Sequence, residues 1–148
     1  MGSVGNARCA RVAVPEDHDD PEGKTIDLSV AVLPALAADG APDPFVILVG
    51  GPGQAATEVG PELTTLLERV RKRRDVLLVD QRGTGSSSPL DCDLHRGAGR
   101  EPDRPPTLAE TFDVQLPRAQ LEACLADYDV DPRHFATPDA VADLEHVR

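Results

Sequence analysis

Two short apolar runs, each emptying into a glycine-rich turn, constrain the fold of this chain more than any other feature. Phe45-Val46-Ile47-Leu48-Val49 leads into Gly50-Gly51-Pro52-Gly53-Gln54, and Asp75-Val76-Leu77-Leu78-Val79 leads into Asp80-Gln81-Arg82-Gly83-Thr84-Gly85-Ser86-Ser87. Runs of Val, Ile and Leu this short and continuous predict strands covered on both faces. Between them Leu63, Leu66, Leu67 and Val70 fall at the i, i+3, i+4, i+7 spacing of an amphipathic helix. Pro61 suits the first helical position, and Gly60-Pro61 would break a helix begun at Gly53. Strand, helix, strand is the right-handed crossover that builds a parallel pair. Ligands in such sheets gather at the carboxyl ends of the strands, where both glycine turns fall.

The flanking segments extend the sheet and its cover. Ala10 to Val14 alternates weakly and stops at Pro15, which predicts a short edge strand. Thr25 to Leu33 alternates with period two, placing Ile26, Leu28, Val30 and Val32 on one face of a half-buried antiparallel strand. Beyond Pro89, His95 to Pro106 is polar and proline-rich and reads as a surface excursion. Thr107-Leu108-Ala109-Glu110 has the form of a capping box opening a short helix. Leu121, Cys124, Leu125 and Tyr128 form a further apolar stripe. Thr137-Pro138-Asp139 predicts a helix with Thr137 as N-cap, which would turn Val141, Leu144 and Val147 toward the sheet.

Composition excludes several functions. With 148 residues the chain suits one domain or part of a larger one. A formal net charge of −11 opposes a nucleic-acid or anionic-membrane surface, both of which need a positive field. The basic run Arg71-Lys72-Arg73-Arg74 closes the predicted helix, where cations meet the negative end of the dipole. No stretch approaches the ~18 apolar residues of a membrane span. Met1-Gly2-Ser3-Val4-Gly5-Asn6 has neither the basic nor the apolar region of a leader, so the default expectation is the cytoplasm. Cys9, Cys92 and Cys124 lack zinc-site spacing, and no metal is expected. Cys92 and Cys124 flank a polar loop, compatible with one disulfide or with two thiols.

Three chemistries place glycines after a buried strand. Gly51-Pro52-Gly53-Gln54-Ala55-Ala56 formally matches a dinucleotide fingerprint, with Asp80 where a ribose-binding acid would sit. That fingerprint requires the glycines to open a helix, whereas Gly60-Pro61 delays it and Pro52 removes an amide. A phosphate-binding P-loop fails because no Gly-Lys-Ser/Thr follows. An oxyanion loop fits better: acyl transfer builds negative charge on a carbonyl oxygen, and fixed backbone amides stabilise it. Gly50, Gly51 and Gly53 would let the backbone approach a substrate, although a plain tight turn has the same composition.

Taken together, Gly50-Gly51-Pro52-Gly53-Gln54 and Asp80-Gln81-Arg82-Gly83-Thr84-Gly85-Ser86-Ser87 resemble the proline iminopeptidase and tripeptidyl aminopeptidase family of α/β-hydrolases. Further points of likeness are Val14-Pro15 beside an acid, Thr25-Ile26, Cys92 soon after the second turn, and Thr137-Pro138 with Asp143, Leu144 and Arg148. Val49 departs from the His that many relatives carry before the two glycines. The secreted tripeptidyl branch often has an apolar residue there.

The resemblance implies the amino-terminal part of an α/β-hydrolase: two antiparallel strands, then two parallel ones, in spatial order 1-2-4-3, with flanking helices. Residues 1–148 would form a partial domain lacking the nucleophile elbow, the cap and the carboxyl-terminal triad residues. No Gly-x-Ser-x-Gly occurs in the chain. Gly51 would supply the oxyanion amide, with Gly50 and Gly53 beside it, while Asp80, Gln81, Arg82, Gly83 and Gly85 would shape the second turn. A direct substrate contact from Asp80 or Arg82 is a further option. His18, His95, His134 and His146 all precede the place of a triad histidine and read as solvated, and Ser86, Ser87 and Ser88 read as turn residues. The expected parent is a serine peptidase acting on a peptide or a small ester or amide, without cofactor. The alternative is a non-catalytic hydrolase-like binding module. An open third strand would call for a second polypeptide to complete the sheet.

Overall fold

The computed structural model describes residues 7–51, 53–60, 62–92 and 118–148. The chain divides into two compact units, Met1–Leu90 with Arg133–Arg148, and Asp91–Pro132. The first unit holds strands β1 (Arg8–Pro15), β2 (Thr25–Leu33), β3 (Phe45–Ile47) and β4 (Val76–Val79). Helices α1 (Ala56–Val59) and α2 (Thr64–Arg71) lie between β3 and β4 in sequence. Helix α3 (Arg118–Ala126) belongs to the second unit, and α4 (Thr137–Val147) returns to the first.

The strands form one sheet in the order β1-β2-β4-β3. β1 pairs antiparallel with β2, β2 antiparallel with β4, and β3 parallel with β4. This is the mixed sheet of a partial α/β-hydrolase fold, with the third strand outermost as expected. β2 begins and ends where its alternation predicts. Its first half buries Ile26, Leu28 and Val30 on one face, whereas Ala31 and Leu33 are buried as well. The change occurs where β4 joins the pairing at Val30↔Val79, and helices cover the second face. Ala31, Leu33, Ala56, Leu67, Val76 and Leu78 form that second core layer.

The structure corrects the sequence in three places. β4 is buried throughout, but β3 is only three residues long and leaves Phe45 43% and Val46 37% exposed. An edge strand has one neighbour only, so apolar composition alone did not place it inside. The connecting helix is split: α1 forms one turn ahead of Gly60, and α2 starts at Thr64. Leu63, Leu67 and Val70 pack on the core, while Leu66, at the margin of the stripe, is 71% exposed. The basic run also does more than close α2. Arg71 donates from Nε and Nη2 to the Pro34 carbonyl at 3.3 and 3.2 Å, and Arg74 pairs with Asp43. These bonds tie the loop before β3 to the end of α2.

In the second unit, Cys92 and Cys124 are disulfide-bonded across a separation of 32 residues. The Tyr128 hydroxyl lies 3.4 and 3.5 Å from the two sulfurs. Desolvation, with the Asp91 charge adding to it, raises the Tyr128 pKa above the ordinary phenol value. Tyr128 is the single tyrosine and the chain has no Trp, so phenolate absorbance reads this residue alone. We predict a titration midpoint above that of free tyrosine, falling to the free value in urea. Because the folded pKa is the raised one, the associated stability is present below the unfolded pKa and is lost as pH climbs through the folded pKa. The helix expected at Thr107–Glu110 and the excursion from His95 to Pro106 lie outside the described residues.

Candidate functional site

Both glycine turns leave the sheet at its carboxyl end. After β3 the chain passes through the exposed Gly50, Gly51 and Gly53 before entering α1. Gly53 has φ +92°, a left-handed conformation that costs an L side chain energy and glycine none. A β-carbon on Gly50 or Gly53 would meet nothing within 4 Å, and Gly51 is flanked by the Gln54 side chain. Among the described residues, no protein group accepts a hydrogen bond from the amides of these three glycines. The turn therefore presents amide donors that bond no other group among the described residues, with open space at Gly50 and Gly53 and the Gln54 side chain beside Gly51. This is the property an oxyanion loop requires.

The turn after β4 is built inward. Asp80 is completely buried and ends the strand. Its Oδ1 accepts the Thr57 amide at 2.8 Å, and its Oδ2 accepts the Thr57 hydroxyl at 2.8 Å and the Ser86 amide at 3.4 Å. Gly85, at φ +52°, is required for this approach, since a β-carbon there would lie 2.6 Å from Asp80 Oδ2 and 2.4 Å from Ala55 Cβ. Gly83 has φ +83° and shares the turn with a short Thr84↔Ser87 bridge. Ser87 is buried, and its Oγ accepts the Ser29 amide of β2 at 2.8 Å. Ser87 thus ties the turn to the neighbouring strand.

Arg82 is the centre of a saturated network. Its Nε donates to Asp143 Oδ2 at 2.7 Å, and Nη2 donates to Asp143 Oδ1 at 2.5 Å and to the Pro15 carbonyl at 3.0 Å. Nη1 donates to the carbonyls of Glu16 at 2.7 Å and His134 at 2.6 Å. A guanidinium has five N–H groups, and all five are used. Phe135 stacks over the same group, with its ring centroid 5.8 Å from the guanidinium carbon. His18 Nε2 lies 3.0 Å from both Asp143 Oδ1 and Arg82 Nη2. With a proton on Nε2, His18 donates to Asp143 Oδ1, adding a second donor to the carboxylate that Arg82 already holds. Arg82 and Asp80 are 5% and 0% exposed, so neither has a free group with which to touch a substrate.

Several residues in this network were not singled out by pattern. His18 was expected in solvent but is held by Asp143, whereas His146 is exposed as expected. His134 contributes its carbonyl, and its Nδ1 lies 3.7 Å from Asp17. His95 lies outside the described residues. Helix α4 begins one residue earlier than predicted, with Ala136 as N-cap and its amide donated to Asp139 Oδ2 at 3.1 Å. Val141 is 55% exposed, and the residue that α4 buries is Asp143. The ion pair with Arg82 sets the rotation of the helix, which hydrophobic spacing could not foresee. Thr57 had no signal beyond its place shortly after the glycines. Among the described residues no cluster of His, Cys, Asp or Glu is suited to hold a metal ion.

No family model matches the chain. It is 37% identical over 86 residues to the serine protease Hip1 of Mycobacterium tuberculosis, a match covering 57% of this chain and 16% of that protein. It is 33% identical over 93 residues to carboxylesterase B of the same organism, covering 60% of this chain and 17% of that protein. Against the tripeptidyl aminopeptidase of Streptomyces coelicolor the identity is 26% over 149 residues, covering 95% of this chain and 28% of that protein. The relatives are serine hydrolases and aminopeptidases, and the chain spans less than a third of each.

Proposed function

We propose that this chain supplies the oxyanion-loop half of a serine hydrolase whose parent is an aminopeptidase of the proline iminopeptidase or tripeptidyl aminopeptidase type. The observation that carries the reading is the exposed turn after β3, with three glycine amides that bond no other protein group among the described residues. Similarity to a serine protease, a carboxylesterase and a tripeptidyl aminopeptidase supports the same chemistry. In this reading a serine on further polypeptide attacks the substrate carbonyl, and Gly51 N–H, flanked by Gly50 and Gly53, meets the oxygen as it becomes an oxyanion. Gly51 would be the amide nearest that oxygen, and no metal or organic cofactor takes part.

A fluorophosphonate, which phosphonylates an activated serine with loss of fluoride, tests this directly. The full-length polypeptide is expected to be labelled at a serine beyond Arg148, and residues 1–148 alone to remain unlabelled. Labelling at Ser86, Ser87 or Ser88 would misplace the nucleophile, and no labelling of either form would leave a non-catalytic module. Substrate class is read from paired tripeptide amides: hydrolysis should fall strongly when the substrate's α-amino group is acetylated. Equal rates on both would point to an esterase or endopeptidase instead.

A further inference from the structure

We infer that Asp80 is a positioning residue for the oxyanion loop, acting through Thr57; the inference rests on the reading of Gly50–Gly53 given above. The loop has two anchors, one in β4 and one in the residue that follows it. Its entry is fixed by the parallel pairing of Ile47 with Leu78. Its exit is fixed two residues further along, where Asp80 accepts both the amide and the hydroxyl of Thr57 at 2.8 Å. The glycine turn is thus suspended between Leu78 and Asp80, so the position of its free amides is set from one strand end. Gly85 removes the side chain that would push Asp80 away from α1.

The choice of a carboxylate carries the argument. Burying an unpaired charge is unfavourable unless hydrogen bonds replace its hydration. Among the described residues no cation pairs with Asp80, and its contacts are the amides of Thr57 and Ser86 and the Thr57 hydroxyl. Ionised acceptors form the shorter and stronger hydrogen bonds. Two such bonds converging on one residue fix both the place and the orientation of the α1 entrance. A plain turn could be held by apolar packing. A group that must meet a transient charge needs its donors held before the reaction.

Three variants of the full-length polypeptide separate positioning from mere stability. Thr57→Val removes the hydroxyl but keeps the amide, Thr57→Ser restores the hydroxyl, and Asp80→Asn leaves one acceptor while turning an amide group toward the other donors. We expect kcat to fall about tenfold in Thr57→Val and on the order of a hundredfold in Asp80→Asn, with KM little changed, the pattern of an interaction made in the transition state. Thr57→Ser should recover most of the loss. Hydrogen exchange across Val49–Thr57 should quicken in Thr57→Val and Asp80→Asn but not in Thr57→Ser, a readout that needs no activity. A wild-type polypeptide that fails to react with fluorophosphonate would overturn the oxyanion reading and this inference with it. A reactive wild type whose Thr57→Val and Asp80→Asn variants keep kcat, or lose it only in proportion to folded protein, would overturn the positioning role alone.

Discussion

Replacing Arg82 with Lys should destabilise the first unit by about 3–5 kcal/mol, nearly as much as replacing it with Ala. The guanidinium feeds five acceptors from three separate stretches of chain: the end of β1, the approach to α4, and α4 itself. An ammonium has three donors on a flexible stem and cannot reach the two Asp143 oxygens and three carbonyls together. Each carbonyl left buried without a partner costs about 1–3 kcal/mol. Asp143, 2% exposed, would become a buried carboxylate relying on His18 alone. Urea denaturation of the wild type and of Arg82→Lys, Arg82→Met, Asp143→Leu and the Arg82→Met/Asp143→Leu double variant reads the effect. Many buried ion pairs are replaceable by apolar residues of similar volume. Here the double variant should not recover, because the carbonyls of Pro15, Glu16 and His134 still lose their bonds to the guanidinium. Recovery to wild-type stability would reduce the network to a simple ion pair.

This network also shows which parts of the molecule were legible in the sequence. The bounds of β2 were readable because the alternation of its first half is a local consequence of one covered side and one open side, whereas the burial of Ala31 and Leu33 depends on β4 and the helices beyond it. The two turns were readable because the positive φ of Gly53 favours glycine, the close approach of Ala55 and Asp80 demands it at Gly85, and clustered glycines at strand ends have few other uses. The sheet order came through resemblance, and the pairing of β3 with β4 bears it out. What escaped was long-range and polar. Arg82 and Asp143 are 61 residues apart, and no periodicity links them. A helix face is normally inferred from its apolar residues, which in α4 point to Val141 and not to the buried Asp143. Thr57 and His18 escaped for the same reason: each matters through a partner more than twenty residues away. The length of β3 escaped for another reason, since an apolar run records what a strand is suited to touch, not what lies beside it.

That mismatch underlies the second large effect. The Phe45 amide donates to the Asp75 carbonyl at 2.8 Å, so Phe45 and Ile47 turn their amides toward β4. By the alternation of a strand, Val46 turns its N–H and C=O to the open side. The open side is apolar: Leu48 is 68% exposed and, with Val141, borders a groove of about 280 Å³ that Gln81, Phe135 and Leu144 also line. An unpaired, uncharged edge of this kind is a template for another strand. We therefore propose that residues 1–148 do not persist as a monomer, but self-associate or pair with a second polypeptide completing the sheet. Size-exclusion chromatography should show association that grows with concentration. Val46→Pro removes the outward N–H without touching a bond to β4, and Val46→Lys places a charge at the edge; both should shift the chain toward monomer. Arg11→Pro on β1, the opposite edge strand, should not. A stable wild-type monomer with one steep unfolding transition would refute the open-edge proposal, as would association equally sensitive to changes on β1.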